Sequence, residues 1–240
     1  MPTASIIAFD TSTERLAASL QSPAGAFARH TAGGAQASAA LLPLLQALLA
    51  EGAIVWADLD FIAFGRGPGA FTGLRTSCAV AQGLGLALGK PVLAIDSLLI
   101  VAEDARCQAA AGELSFDVGV AMDARMNEAY AAAYRWHGGA WQVLQAPRLC
   151  SLPALGEAWS ALGLQAVAGS ALSAFGDRLP LPAARLLPHE QDRAGAVLRL
   201  ALQAAAAGEG VDAANALPLY LRDKVAQTTQ EREAARSAAA

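Results

Sequence analysis

Six residues near the N-terminus place a carboxylate beside hydroxyl groups. They read FDTSTE, from Phe9 to Glu14, and they follow an apolar run that predicts a strand. Thr11 and Ser12 continue from Asp10 into a turn whose hydroxyls and backbone N–H groups could face a phosphate, while the carboxylate orients a metal ion or a water molecule. The ordinary alternative is a polar hairpin turn in which Asp10 accepts hydrogen bonds from its own backbone. The hexamer alone leaves both hypotheses open.

A second stretch, from Phe64 to Gly89, begins with a glycine-rich loop. It reads FGRGPGAFTGLRTSCAVAQGLGLALG. A P-loop requires the spacing G-x-x-x-x-G-K-[ST], because backbone amides cradle the phosphate and the lysine reaches it. No Gly-Lys pair follows Gly65, Gly67 or Gly69 at that spacing. We therefore exclude a P-loop here.

The remainder of this stretch predicts a helix with a stripe of small residues. They recur every four positions at Gly73, Ser77, Ala81, Gly85 and Gly89. A glycine inside a helix costs roughly 1 kcal/mol relative to alanine, so several of them imply a compensating close contact. A stripe almost without side chains lets another backbone approach. That neighbour is either this protein's own sheet and leucine-rich helix, or another subunit.

The leucine-rich segment lies between residues 38 and 50. Leu41, Leu45 and Leu48 recur at i, i+4 and i+7, and Gly52 supplies a stop signal. Pro43 lies inside the run, so the predicted helix begins near it or kinks there.

A third stretch, MDARMNEAY, places charged residues at a predicted strand–turn–strand corner. Asp123, Arg125 and Glu128 could contact a ligand or a partner from such a loop, although a solvated hairpin turn is the ordinary interpretation. Elsewhere the sequence holds three isolated histidines and no HxxxH, HExxH or GxSxG pattern. We therefore expect no protein metal site and no serine-hydrolase triad.

Composition limits the classes of function. The 240 residues suffice for one large domain or two small ones, and 55% hydrophobic against 16% charged residues favours a substantial core. A net charge of −4 without a basic cluster argues against strong nucleic-acid binding by the chain itself, while a role in RNA metabolism through a partner stays open. The three cysteines form no CxxC pair, and no basic segment precedes the first apolar run, so we expect a soluble, cytoplasmic protein with reduced thiols.

The same order of predicted elements occurs twice along the chain. A strand, an acidic turn, two further strands, a helix and a strand follow from about Ser5 and again from about Ser115. Such duplication is typical of two related α/β subdomains. We expect the first over residues 1–105, the second over 106–226 with a C-terminal helix that packs partly back on the first, and a loose tail over 227–240.

Five segments together resemble the TsaB (YeaZ) family. They read IIAFDTSTERLAASL, LLPLLQALL, LDFIAFGRGPGAFTGLRTSCAVAQGLGLALGKPVLAIDSL, MDARMNEAYAAAY and PLYLRDKVA, in order from about Ile6 to Ala226. FGRGPGAFTGLR followed by DAR and EAY is highly specific to that family, whereas DTSTE alone is not. The resemblance implies an α/β fold of two related subdomains of the actin/hexokinase/Hsp70-type ATPase (ribonuclease H-like) fold. DTST then resembles the first phosphate loop of that fold, where glycine usually stands in the place of Ser12.

The resemblance also implies a function. TsaB-like proteins belong to the bacterial machinery that makes threonylcarbamoyladenosine beside the anticodon of tRNAs reading ANN codons. They are thought to be non-catalytic paralogues that bind the catalytic subunit TsaD, with the small ATPase TsaE joining the complex. We accordingly expect an accessory subunit that binds no cofactor alone, that reaches ATP or ADP, a metal and tRNA through its partners, and that can self-pair into a homodimer when alone. The catalytic paralogue carries an HxxxH metal motif that is absent here.

The family's pairing surface maps to two helices, at about Gln36–Ala50 and Phe71–Leu88. On these helices we expect the TsaD or self-contact at Leu41, Leu45, Leu48, Gly73, Ser77, Ala81 and Gly85. Vestigial phosphate-loop or interface-nucleotide contacts are expected at Asp10, Thr11, Ser12 and Arg75. One departure is that Gln36 and Ser38 replace a His-Ser pair that family members often have.

Two enzymatic alternatives compete with the accessory role. An active ATP-dependent phosphotransferase or ATPase of the same fold would use Asp10 with Thr11 and Ser12, and VAGSAL near Gly169 faintly resembles an adenosine loop. A peptidase, an older label for relatives of the family, is disfavoured by the missing metal and nucleophile motifs.

Overall fold

Two five-stranded sheets organise the chain, for which a computed structural model describes residues 4–222. The first sheet contains β1 (Ile6–Asp10), β2 (Arg15–Ser22), β3 (Gly25–Ala32), β4 (Phe61–Gly67) and β5 (Val92–Asp96). The second contains β6 (Ser115–Asp123), β7 (Glu128–His137), β8 (Ala140–Ser151), β9 (Ala166–Ala168) and β10 (Arg185–Leu187). The helices are α1 (Ala37–Glu51), α2 (Phe71–Leu88), α3 (Ser97–Ala109), α4 (Leu152–Trp159), α5 (Ala171–Phe175) and α6 (Arg193–Ala206).

The two sheets have the same topology. The first has the order β3-β2-β1-β4-β5, and the second, in corresponding strands, has the order β8-β7-β6-β9-β10. In each sheet the first three strands pair antiparallel and the last two join in parallel. The duplication predicted from the sequence is therefore present in the strand order.

Helices cover both faces of the first sheet. Ile7 and Phe9 of β1 pack on one face with α1 and α2, whereas Ile6 and Ala8 pack on the other with residues of α3 and α6. A strand covered on both faces reads as a continuous apolar run rather than an alternating one. This explains why β1 is apolar up to Asp10, where the strand ends.

The last helix crosses back to the first sheet. α6 follows the strands of the second sheet in the chain, yet Val197 and Ala201 pack against Ile6 and Ala8. A buried carboxylate in α3, Glu103, joins three elements: it accepts hydrogen bonds from Arg106 of its own helix, from Arg199 of α6 and from Trp141 of β8.

Two expectations concern element and domain boundaries. Helix α1 begins at Ala37 and continues through Pro43, so the proline lies inside it rather than at its start. The boundary expected between residues 105 and 106 lies inside α3 (Ser97–Ala109). The tail expected over 227–240 lies outside the described residues.

Within residues 4–222, every helix is too short or too polar to cross a lipid bilayer.

Candidate functional site

Asp10 ends β1 with its side chain completely buried. Its Oδ1 accepts hydrogen bonds from the backbone N–H of Ser12 at 2.8 Å and from the Ser12 hydroxyl at 2.7 Å. Its Oδ2 accepts one from the Ser97 hydroxyl at 2.7 Å. The carboxylate is thus held by its own turn, as in the polar-turn alternative, and by the first residue of α3.

A buried arginine, which the sequence analysis missed, completes this network. Arg193 of α6 is 4% exposed, and its Nε lies 3.2 Å from Asp10 Oδ1. Its Nη2 donates to the Ser12 hydroxyl at 2.9 Å, and its Nη1 pairs with Glu190. No local pattern links positions 183 residues apart, so the sequence offered no signal for this pair.

The charges of this pair stabilise one another. Burial by itself would raise the pKa of the Asp10 carboxyl, but the Arg193 guanidinium and hydrogen bonds from Ser12 and Ser97 outweigh it and hold that pKa below its usual value. Burial would likewise lower the pKa of Arg193, but Asp10 and Glu190 raise it above its usual value. Asp10 is therefore an ionised carboxylate whose oxygens are already occupied by donors of this chain.

Thr11 is enclosed by α2. It is 1% exposed, and its hydroxyl donates to the Gly73 carbonyl at 2.7 Å. The Ser77 hydroxyl lies 2.7 Å from the Thr11 hydroxyl and accepts from the Thr11 backbone N–H at 3.2 Å. Ser77 thus binds the turn after β1.

Three glycines of the stretch from Phe64 to Gly89 lie where the FDTSTE turn packs against it. A Cβ at Gly65 would lie 1.7 Å from Asp10 Oδ2, and one at Gly73 would lie 1.9 Å from the Thr11 carbonyl oxygen. A Cβ at Gly69 would lie 2.6 Å from the Ser12 carbonyl oxygen, which also accepts from the Ala70 N–H. Real Cβ atoms essentially never come that close to another atom, so these three glycines allow the second stretch to pack directly against the FDTSTE turn.

A cleft of about 820 Å³ opens beside this contact. One wall includes Thr13, Pro68 and Phe71, and the other includes residues 122–126 and Ser170. This volume falls in the range of small-molecule sites. Ser12 and Arg193 reach its floor, where the Asp10 network closes it.

The charged residues of MDARMNEAY are engaged within the chain. Arg125 lies 3.4 Å from Asp123 and is 78% exposed at the side chain, and Glu128 pairs with Arg222 at 2.8 Å. Asp123 Oδ1 also accepts from the Arg125 N–H at 2.7 Å. The structure therefore supports an internally bonded turn at the rim of the cleft.

Metal coordination does not fit the Asp10 network. Ser12, Ser97 and Arg193 donate to the two carboxylate oxygens, and the nearest charge is a cation. Within residues 4–222, no group of three or more His, Cys, Asp or Glu side chains is arranged to hold a metal ion.

Known proteins share this architecture. A family model described as TsaD, tRNA N6-adenosine threonylcarbamoyltransferase, matches residues 33–232. The tRNA threonylcarbamoyladenosine biosynthesis protein TsaB of Escherichia coli is 30% identical over 229 residues, which cover 92% of this chain and 96% of that protein. The chain belongs to the TsaB (YeaZ) family.

Solved structures of the TsaB family agree with this membership. YeaZ from Pseudomonas aeruginosa is 35% identical, with a TM-score of 0.81 over 91% of this chain and 100% of that one. A second Pseudomonas aeruginosa structure, described as similar to the peptidase YeaZ, is 34% identical with a TM-score of 0.82 over the same shares. The predicted fold of two related subdomains of the actin/hexokinase/Hsp70-type is confirmed.

The contact residues expected from the TsaB family require correction. All seven expected contact residues are buried within this chain: Leu41, Leu45, Leu48, Gly73, Ser77, Ala81 and Gly85. The leucines pack on the first sheet, and a Cβ at Gly85 would lie 2.7 Å from Val92 and 2.8 Å from Ala213. The periodic leucines and small residues therefore lie on the faces of α1 and α2 that pack into the chain's own core. Of the two neighbours considered for the small-residue stripe, the structure shows this protein's own sheet.

Arg75 points away from the Asp10 network. Its guanidinium carbon lies 4.0 Å from the centre of the Phe71 ring, and its Nε lies 3.4 Å from the Tyr220 hydroxyl. This exposed arginine therefore stacks on Phe71 at the start of α2 and donates to the Tyr220 hydroxyl.

Proposed function

We propose that this chain is a non-catalytic subunit of the machinery that forms threonylcarbamoyladenosine in tRNA, and that it acts by pairing with a catalytic TsaD-type subunit. Membership of the TsaB family supports the process. The role as a pairing subunit rests on one feature, the outward surface of α1 and α2.

This surface, the α1–α2 outer face, is the solvent side of two helices that lie together on the first sheet. Its exposed residues include Ala39, Leu42, Gln46 and Ala50 on α1, and Thr72, Ala79, Gly83 and Leu86 on α2. Leu42 is 45% and Leu86 is 80% exposed. The helices carry one charged residue each, Glu51 and Arg75. An exposed, nearly uncharged surface of this kind is typical of a protein–protein contact.

The small side chains of the outer face favour helix packing. Ala79 and Gly83 are four residues apart on α2, and a Cβ at Gly83 would meet no described atom within 4 Å. A partner helix can therefore approach this part of α2 closely. The same surface would serve a homodimer when the catalytic subunit is absent.

The Asp10 network supports a non-catalytic role. A phosphotransferase of this fold would need Asp10, Thr11 and Ser12 to face a nucleotide. Asp10 and Thr11 do not line the cleft, and all three side chains are already bonded within the chain. On this proposal, nucleotide, metal and tRNA are bound through the partner subunits TsaD and TsaE rather than by this chain alone.

The outer face can be tested by charge insertion. Leu86→Asp and Gly83→Arg place a charge on the outer face at positions with free space, so we expect both variants to fold and to lose co-purification with the TsaD of the same organism. Val143→Asp is the matched control, because Val143 is 60% exposed on β8 of the second sheet. Normal complex formation by both folded outer-face variants would overturn the assignment.

The proposed role in forming threonylcarbamoyladenosine is tested by a separate experiment. A reconstituted assay measures threonylcarbamoyladenosine in tRNA by mass spectrometry with and without this chain. We expect modification to need the chain and the outer-face variants to reduce it. Full modification without the chain would contradict the proposed function, whatever the binding result.

A further inference from the structure

The segment Leu217–Arg222, here called the strap, begins on α2. The carbonyl oxygen of Ala216, the residue before it, accepts a hydrogen bond from the Gln82 side chain at 2.8 Å and from the Cys78 thiol at 3.1 Å. Ala216 is completely buried in the core beneath α1 and α2. The start of the strap is therefore fixed to the first half of the fold.

The middle of the strap follows the glycine loop. The Leu219 N–H donates to the Arg66 carbonyl at 2.7 Å, and the Leu219 carbonyl oxygen lies where a Cβ at Gly67 would be 2.9 Å away. The Tyr220 ring lies 5.5 Å from the Phe71 ring, which lines the cleft. These contacts hold the strap against one wall of the cleft.

The end of the strap reaches the other wall. Arg222 donates through Nη2 to the Ala124 carbonyl at 3.1 Å and pairs with Glu128 at 2.8 Å. Its side chain is only 14% exposed, and its Nη1 lies 3.5 Å from the sulfur of Met126. A charged hydrogen bond with little exposure is stronger than a surface ion pair.

The turn that Arg222 contacts has an unusual backbone. Arg125, Met126 and Asn127 have φ values of +64°, +55° and +56°, a region that residues with side chains rarely adopt. Such a conformation persists where surrounding contacts hold it. Arg222 contacts both ends of the turn, and Arg178 donates to Asn127 at 3.3 Å.

The strap crosses between the walls at the cleft itself. A further link described above, at Glu103, joins α3, α6 and β8, and none of its four side chains lines the cleft. The strap therefore joins the two walls at a place that the Glu103 link does not reach. We propose that the strap is a clamp that ties α2 to the 124–128 turn and fixes the width of the cleft, with Arg222 as its fastening residue.

Hydrogen exchange and a distance measurement test the clamp on the full chain. Arg222→Ala should raise the exchange rate of amides 124–128 by about tenfold or more, because a hydrogen bond to a charged group is lost. Bio-orthogonal spin labels can be placed at Ala70 and Ala174, which are exposed on opposite walls of the cleft. In Arg222→Ala, the distribution of distances between the two labels should broaden and shift to longer values. Arg222→Lys should recover part of both effects.

Two further variants make the outcome decisive. Tyr220→Ala weakens the strap in its middle, where the Tyr220 ring packs near Phe71, and should produce the same distance shift with Arg222 intact. Arg29→Ala removes an Arg–Glu pair within the first half, Arg29 with Glu51, and should change neither readout. Unchanged exchange and distances in folded Arg222→Ala and Tyr220→Ala would overturn the proposal, and if Arg222→Ala fails to fold, Tyr220→Ala decides alone.

Discussion

The guanidinium of Arg193 lies 3.2 Å from the carboxylate of Asp10, and both side chains are at least 96% buried. One residue ends the first strand of the first sheet, and the other begins the last helix. A cation supplied by the chain thus lies beside Asp10, where the phosphate-loop hypothesis would have the carboxylate orient a metal ion or a water molecule.

Removing this cation should strongly destabilise the protein. Arg193→Ala leaves the Asp10 carboxylate buried without its counter-charge, and breaking a buried pair in this way costs about 3 to 5 kcal/mol. Urea denaturation of Asp10→Asn, Arg193→Met and the double variant Asp10→Asn/Arg193→Met measures the coupling. We expect the double variant to lose less than the sum of the two single losses; simple additivity would contradict a coupled pair.

The same pair predicts a dependence of stability on acid. The pKa of Asp10 is lowered on folding from an ordinary value near 3.8, so its contribution to stability is present above that pH and is lost as the pH falls through the folded-state value. The free energy of unfolding should therefore fall less steeply below pH 3.8 in Asp10→Asn than in the wild type. Glu51→Gln, which removes a carboxylate of the exposed pair with Arg29, is the control.

Two glycines of α2 should respond in opposite directions to alanine. Gly73→Ala forces a Cβ towards the Thr11 carbonyl oxygen, and we expect a loss of about 1 to 3 kcal/mol or more from overpacking. Gly83→Ala adds a methyl group in open space and should gain up to about 1 kcal/mol from helix propensity. Thermal and urea unfolding compare the pair; equal effects would contradict the close contact between the turn and α2.

The isolated chain should not turn over ATP. The Asp10, Thr11 and Ser12 side chains are bonded within the chain, so none of these three is free to orient a metal ion or a water molecule. A phosphate-release assay with Mg-ATP measures this directly. Turnover that is abolished by Asp10→Ala would support the phosphotransferase alternative instead.

The sequence predicted the succession of strands and helices along the chain because that succession depends on local signals. Apolar runs, turns and the repeated acidic corner each occupy a few consecutive residues, and the elements of both halves follow them. Membership of the TsaB family could also be recognised from the sequence, since the motifs of that family are contiguous stretches.

The residues of the proposed contact surface were not predictable in the same way. Apolar spacing on α1 and small-residue spacing on α2 identify a face that packs closely, but spacing alone does not distinguish the chain's own sheet from another subunit. Leu86 belongs to neither periodic pattern, so the sequence did not single it out. In the structure it is 80% exposed on the α1–α2 outer face. Arg193 shows the same limit, because a contact across 183 positions leaves no local pattern.

The return of α6 to the first sheet also bears on how the chain folds during synthesis. Residues 1–112 contain all five strands of the first sheet, but the helix that covers Ile6 and Ala8 and the cation that neutralises Asp10 come only after residue 192. The first half therefore leaves the ribosome with a sheet face that α3 covers only in part and with an unpaired carboxylate. We expect its folding to wait for the last fifth of the chain, so that the two subdomains, although they repeat one strand order, fold as a single unit rather than one after the other. A fragment ending at residue 112 should accordingly lack a cooperative thermal transition by circular dichroism.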